Sequence, residues 1–255
     1  MLFDSHSHYN DEKFDDDRDS LLSSMPENNV GLIMNACSSI EEIPAIIELT
    51  RKYPFVYGSV GVHPHEVENM TENDIEILRK YAADEKIKAI GEIGLDYFYN
   101  NSPRDLQKKW FARQIELACE LNLPIIVHDR DAHADTVDIL KQCHAERCGG
   151  VFHCYSGSAE MAKEILNLGM YIAFGGSLTF KKSVKPKEAA AVVPLDRILT
   201  ETDCPYLTPE PYRGKRNSSL YMYLVAKKLA EIKGVSVEAI ENATYENAKR
   251  CFKIQ

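Results

Sequence analysis

The chain has 255 residues, with 30 Lys and Arg against 39 Asp and Glu, for a formal net charge of −9. At 44% hydrophobic and 27% charged, it has the make-up of a globular enzyme and is neither collagen-like nor disordered. No apolar run approaches the roughly 18 residues of a membrane span, and the acidic balance counts against indiscriminate wrapping of nucleic acid. The start, Met1-Leu2-Phe3-Asp4-Ser5-His6, lacks the basic and apolar segments of a secretory signal. Seven scattered Cys form no CxxC pair, so reduced thiols and a cytoplasmic location are expected.

In chain order, eight short β-branched or apolar runs are predicted strands: Leu2–His6, Val30–Asn35, Phe55–Val60, Ile87–Ile93, Pro124–His128, Val151–His153, Tyr171–Phe174 and Arg197–Thr200. Their spacing is that of successive β-plus-α units. The acidic stretch from Asp11 to Asp19 reads as a solvated helix start. Thr71 to Asp74 resembles a capping box, and Ser102-Pro103 reads as N-cap and first helical position. The helix that follows carries Trp110, Phe111, Ile115, Ala118 and Leu121 at helical spacing. Ser158 is placed to cap a helix through Leu166, with Gly169 as its left-handed stop. From about Ser218 the chain reads as helical. Eight alternating units predict an α/β fold, a (β/α)₈ TIM barrel, although a doubly wound sheet shares the local pattern. No linker or repeat divides residues 1–255, which read as a single domain.

Residues that favour chemistry over packing end these strands. Asp4, His6 and His8 are spaced two apart and are expected to share one strand face. Glu92, His128, His153 and Asp203 lie at or just past the carboxyl ends of other strands, where barrel enzymes build their sites. Burying this many carboxylates and imidazoles together without a cation is costly.

His6, His8, Glu92, His128, His153 and Asp203 are more donors than one open zinc site uses. They suit two divalent ions, the first held by His6, His8 and Asp203, the second by His128 and His153, with Glu92 between them. Such ions generate hydroxide near neutral pH, and Asp203 is placed to orient the water and take its proton. The expected reaction class is metal-assisted hydrolysis. Asp4 and Glu201 are expected to hydrogen-bond ligand imidazoles. Gly91 and Gly94 are expected to admit metal or substrate close to the backbone. His63, before Pro64, reads as a substrate contact and His65 as peripheral. His133 and His144 read as surface residues.

Positive charge is local. Lys181, Lys182, Lys185 and Lys187 crowd one segment; Arg213, Lys215 and Arg216 crowd another. In a barrel both would overhang the site and suit a phosphate-containing substrate. Arg130, with Tyr97, Phe98 and Tyr99, could add a clamp and a stacking surface for bases.

The motifs taken together resemble the TatD family of metal-dependent deoxyribonucleases, within the amidohydrolase-like barrels. The resemblance runs nearly the whole chain. It includes Asp4-x-His6-x-His8, Gly61-Val62-His63-Pro64-His65 and Gly91-Glu92-Ile93-Gly94-Leu95-Asp96-Tyr97. It continues through Pro124 to His128, Val151 to Gly157, Glu201 to Leu207 and Arg213-Gly214-Lys215-Arg216-Asn217.

The resemblance implies a two-metal barrel with the six ligands named above and magnesium, manganese or zinc as the ions. It also implies hydrolysis of DNA phosphodiesters, commonly from the 3′ end. A nuclease acting on single-stranded ends is the leading reading, with no membrane or obligate protein partner inferred. A small-molecule amide, lactone or ester hydrolase on the same barrel is the alternative. A nucleic-acid-binding protein without turnover is disfavoured by six intact ligand positions.

Overall fold

A computed structural model describes all residues from Met1 to Gln255. Eight parallel strands form one sheet in sequence order: β1 (Leu2–Ser7), β2 (Val30–Asn35), β3 (Val56–Val60), β4 (Ile87–Asp96), β5 (Ile125–Arg130), β6 (Gly150–Phe152), β7 (Tyr171–Phe174) and β8 (Ile198–Thr200). The chain beyond β8 returns to β1, where Asp203 N donates to His6 O at 2.9 Å and His8 N to Cys204 O at 2.8 Å. Those bonds bring the two outer strands together and give the (β/α)₈ TIM barrel. Nine α-helices accompany the strands: α1 (Arg18–Ser23), α2 (Ile43–Lys52), α3 (Glu72–Tyr81), α4 (Arg104–Leu121), α5 (His133–Gln142), α6 (Ala159–Asn167), α7 (Val184–Val192), α8 (Met222–Lys233) and α9 (Val237–Cys251). None is long and apolar enough to cross a membrane.

The largest apolar cluster packs helices against the sheet and includes Ile43, Ile90, Trp110, Phe111 and Leu229. A second gathers Phe3, Met34, Ile126, Val151 and Leu199 from five strands, with Phe252 and Ile254 beyond α9. Hydrocarbon thus packs the strands in both clusters, and the polar side chains gather at the carboxyl ends of the strands.

Local signals hold with small shifts. Thr71 N donates to Asp74 Oδ2 at 2.7 Å, Ser158 Oγ accepts from Met161 N at 3.3 Å, and Gly169 is left-handed at φ +75°. Pro103, not Ser102, occupies the cap position of α4. Ser102 Oγ instead donates to His65 O at 2.9 Å, so it is spent on a neighbouring loop. The Asp11–Asp19 stretch splits into a 3₁₀ turn and the start of α1. Phe14 is buried against Tyr9, and Arg18 Nε is drawn to Tyr9 O at 2.6 Å.

Gly94 has φ +150°, and a Cβ there would lie 1.9 Å from His128 O. A Cβ on Gly91 would similarly meet the Ile126 backbone. The expected space for metal or substrate is thus taken by β5, and glycine is what lets β4 approach it so closely.

Candidate metal centre

The polar ends of β1, β4, β5, β6 and β8 converge on a cavity of about 740 Å³. Its floor is a cluster around Glu92. His6 Nε2 and His8 Nε2 stand 3.1 Å apart, and Glu92 Oε2 is 3.3 and 3.7 Å from them. Asp203 Oδ1 lies 3.7 Å from His6 Nε2 and 3.5 Å from His8 Nε2. Ligands about 2.1 Å from a tetrahedral cation stand about 3.4 Å from one another, so this spacing fits an ion of zinc's size.

The other carboxylate oxygen faces a second set. Glu92 Oε1 is 2.8 Å from His128 Nδ1, 2.9 Å from His153 Nε2 and 3.5 Å from His63 Nε2. All six expected donors therefore meet, and the two oxygens of Glu92 are divided between the two groups. The donor chemistry fits divalent cations, because buried imidazoles and carboxylates converge without an Arg or Lys among them.

Electrostatics point the same way. Burial opposes ionisation of Glu92, but His153, His63 and His6, with a hydrogen bond from His128, hold it well below the usual carboxylate range. Burial would also lower His128, yet hydrogen bonds to Asp96 and Glu92 lift it to about 9. Asp203 is likewise opposed by burial but held ionised by a hydrogen bond from His8 and by the neighbouring imidazoles. The cluster calls for positive charge around its carboxylates.

Asp96, within the Gly91–Tyr97 motif, is central to the second group. It is buried at the end of β4, where Oδ2 accepts from His128 Nε2 at 3.1 Å and His65 Nε2 at 2.9 Å. Its position four residues after Glu92 on one strand was the available signal. His65, expected to be peripheral, lines the cavity through this bond.

Asp4 departs from expectation. A register shift in β1 between Asp4 and Ser7 breaks the two-residue alternation. Asp4 Oδ2 accepts from Thr202 Oγ1 at 2.7 Å and Ser219 Oγ at 2.6 Å, rather than from an imidazole. Burial lifts its pKa to about 7 against those hydrogen bonds. Glu201 is the better-placed partner, with Oε1 at 3.5 Å from His153 Nδ1 and accepting from Cys154 N at 2.6 Å.

His63 and Arg130 line the cavity as expected, whereas Arg213, Lys215 and Arg216 are not on its wall. Arg216 is committed to Asp17 at 2.6 and 2.8 Å, Arg213 packs on Phe180, and Lys215 lies over Tyr212. Asp11, Glu42, Glu66, Asp129 and Asp131 give the cavity an acidic wall in which Arg130 is the single fixed cation. His133 opens α5 half-exposed, and His144 is exposed.

A family model described as "TatD related DNase" matches residues 3–253. The chain belongs to the TatD-related DNase family. It is 46% identical over 254 residues to a Bacillus subtilis (strain 168) protein described as an uncharacterized metal-dependent hydrolase, YabD, with all of both chains covered. It is 31% identical to the 3′-5′ ssDNA/RNA exonuclease TatD of Cronobacter sakazakii, covering 98% of this chain and 97% of that one. Among solved structures, YJJV, a TatD homologue from Escherichia coli K12, matches at a TM-score of 0.93 and 28% identity, covering 100% of this chain and 98% of the other. This TatD-family chain is a metal-dependent hydrolase.

Proposed function

We propose that this TatD-family hydrolase removes nucleotides from the 3′ ends of single-stranded DNA, using two divalent cations held around Glu92. The observation that carries the two-metal reading is the division of the Glu92 oxygens, Oε2 toward His6 and His8, Oε1 toward His128 and His153. The exonuclease name of the Cronobacter relative supports the substrate.

His6, His8, Asp203 and Glu92 Oε2 would hold one cation; His128, His153 and Glu92 Oε1 would hold the other. When bound, magnesium, manganese or zinc supplies Lewis acidity toward water and the phosphoryl oxygens. Asp203, whose side chain opens to the cavity, takes the proton of the attacking water. The water oxygen bonds to phosphorus, the P–O3′ bond breaks, and the proton goes to the leaving 3′-oxygen. His63 and Arg130 contact the phosphate from the wall.

The acidic wall fits a strand end better than a long backbone, since it tolerates few phosphates beyond the one attacked. It also favours a second reading, hydrolysis of a small neutral ester, lactone or amide. The two are separated by end-labelled single-stranded DNA assayed with and without chelator, beside a lactone and amide panel. Chelator-sensitive shortening from the 3′ end is expected. Turnover of the panel with intact DNA would transfer the assignment to the second reading.

A further inference from the structure

We propose that Phe98, Tyr99 and Arg130 form a subsite on which the terminal base of a single strand stacks, beside the metal centre. The inference rests on the phosphodiesterase reading and adds the residues that select its substrate.

Phe98 and Tyr99 follow β4 and line the cavity, although they are 56% and 54% exposed. Two adjacent aromatic side chains left in water at a cavity mouth are the kind of surface a ligand covers. They are held in place. Asp96 Oδ1 accepts from Phe98 N at 3.0 Å and Tyr99 N at 2.8 Å, while its other oxygen holds His128 and His65. Behind them Tyr97 OH donates to Asp135 Oδ2 at 2.6 Å, and the Arg104 guanidinium covers the Tyr97 ring at 4.1 Å. Tyr97 therefore anchors the segment, and Phe98 and Tyr99, their rings perpendicular at 4.9 Å, offer a base the free face of one ring and the edge of the other.

Arg130 sits opposite Asp96 in the β4–β5 pairing. Its guanidinium lies 4.3 Å from the Phe98 ring centre and 4.8 Å from that of Tyr99. The cation is thus held by ring faces rather than by a carboxylate, which leaves its charge for a phosphate. Across the barrel, beyond β8, Tyr206 and Leu207 give a second exposed apolar edge to the same cavity. Between these edges stand the carboxylates of Asp11, Glu42 and Glu66. A platform, one cation and an otherwise repulsive wall together fit an unstacked terminal nucleotide. The terminal base of a duplex must first unpair before it can turn onto the platform, whereas a single-stranded end pays no such cost. Fixing the backbone of Phe98 and Tyr99 before binding reduces the ordering cost of the encounter.

The test uses the metal-loaded protein and short 5′-labelled single strands ending at the 3′ side in adenine or in an abasic tetrahydrofuran unit. Wild type should prefer the base-bearing end by about tenfold in kcat/KM, the order expected of one base–aromatic stack. In the Phe98→Ala/Tyr99→Ala variant the preference should fall below about twofold, with the change in KM rather than kcat. Phe98→Trp, which keeps a platform, should retain it and guards against loss of fold in the double variant. Equal cleavage of both ends by wild type, or a preference that survives in the alanine variant, overturns the stacking subsite and leaves the phosphodiesterase reading standing. Failure of wild type to cut either strand, with turnover of a lactone or amide, overturns both.

Discussion

The two halves of the candidate metal centre share Glu92 but are held by different forces. Around Glu92 Oε2, His6 is fully buried, its ring stacked on that of His153 at 3.8 Å and edge-on to that of His8 at 4.9 Å. Its buried Nδ1 has no hydrogen-bond partner. Packing fixes His6, and the Asp203 carboxylate beside His8 adds charge to this half. Around Oε1, His128 is held by Asp96, while His153 faces Glu201 at 3.5 Å with its own Nδ1 likewise lacking a hydrogen-bond partner. Hydrogen bonds and charge fix the second half. The difference predicts a geometrically rigid first site with four donors and a tunable second site with room for substrate.

The largest expected effect comes from the residue both halves share. Glu92→Gln keeps the shape but halves the anionic character on which both donor sets converge. We expect turnover to fall by about a thousandfold or more, with loss of bound metal and little change in the thermal melt when both proteins are compared metal-free. Near wild-type turnover in this variant would show that Glu92 does not join the two halves.

Asp96→Asn should separate the halves. It weakens the acceptor that orients His128 while leaving His6, His8 and Asp203 alone. Removing an outer partner of this kind typically costs about 10- to 100-fold in metal affinity. Titration with zinc should therefore show one ion bound as in wild type and one bound more weakly. Two ions retained at wild-type affinity would contradict the bracing role of Asp96.

How far these relations were legible in the sequence depends on whether they are local or cross-strand. The strands are legible because each is a short apolar run, and the six donors because each lies at or just past the end of such a run. The grouping of the donors followed from the barrel. Asp4 was misread because alternation assumes a regular strand, and the register shift in β1 is a tertiary matter. Asp96 does not stand out in the sequence because its value lies in reaching His65 and His128, contacts made only when β4 is paired with β3 and β5. Sequence alone places two basic loops over the site, but none of their Lys or Arg lines the cavity, and Arg216 is satisfied by Asp17, some 200 residues earlier. Charge in a sequence shows what is available, and the fold decides which charges neutralise one another.

The smallest expected effect tests the outermost brace of the second half. Asp129 follows His128 on β5; its Oδ2 is 2.5 Å from His133 Nδ1, and its Oδ1 accepts from Thr136 Oγ1 at 3.3 Å. The hydrogen bond to Asp129 raises the His133 pKa above 6.5, against partial burial. A folded-state pKa above the unfolded value gives stabilisation that is complete below about 6.5 and fades as pH rises through the folded value. His133 keeps a side-chain exposure of 40%, so solvent screening limits the gain to about 0.5 kcal/mol. For a chain of this size that is about 1 to 2 °C in Tm. His133→Ala should therefore lower Tm by that amount at about pH 5.5 and by less at about pH 9. An equal loss at both would make the contact one of packing, and the contrast between a packed half and a charge-held half would then stop at Asp96.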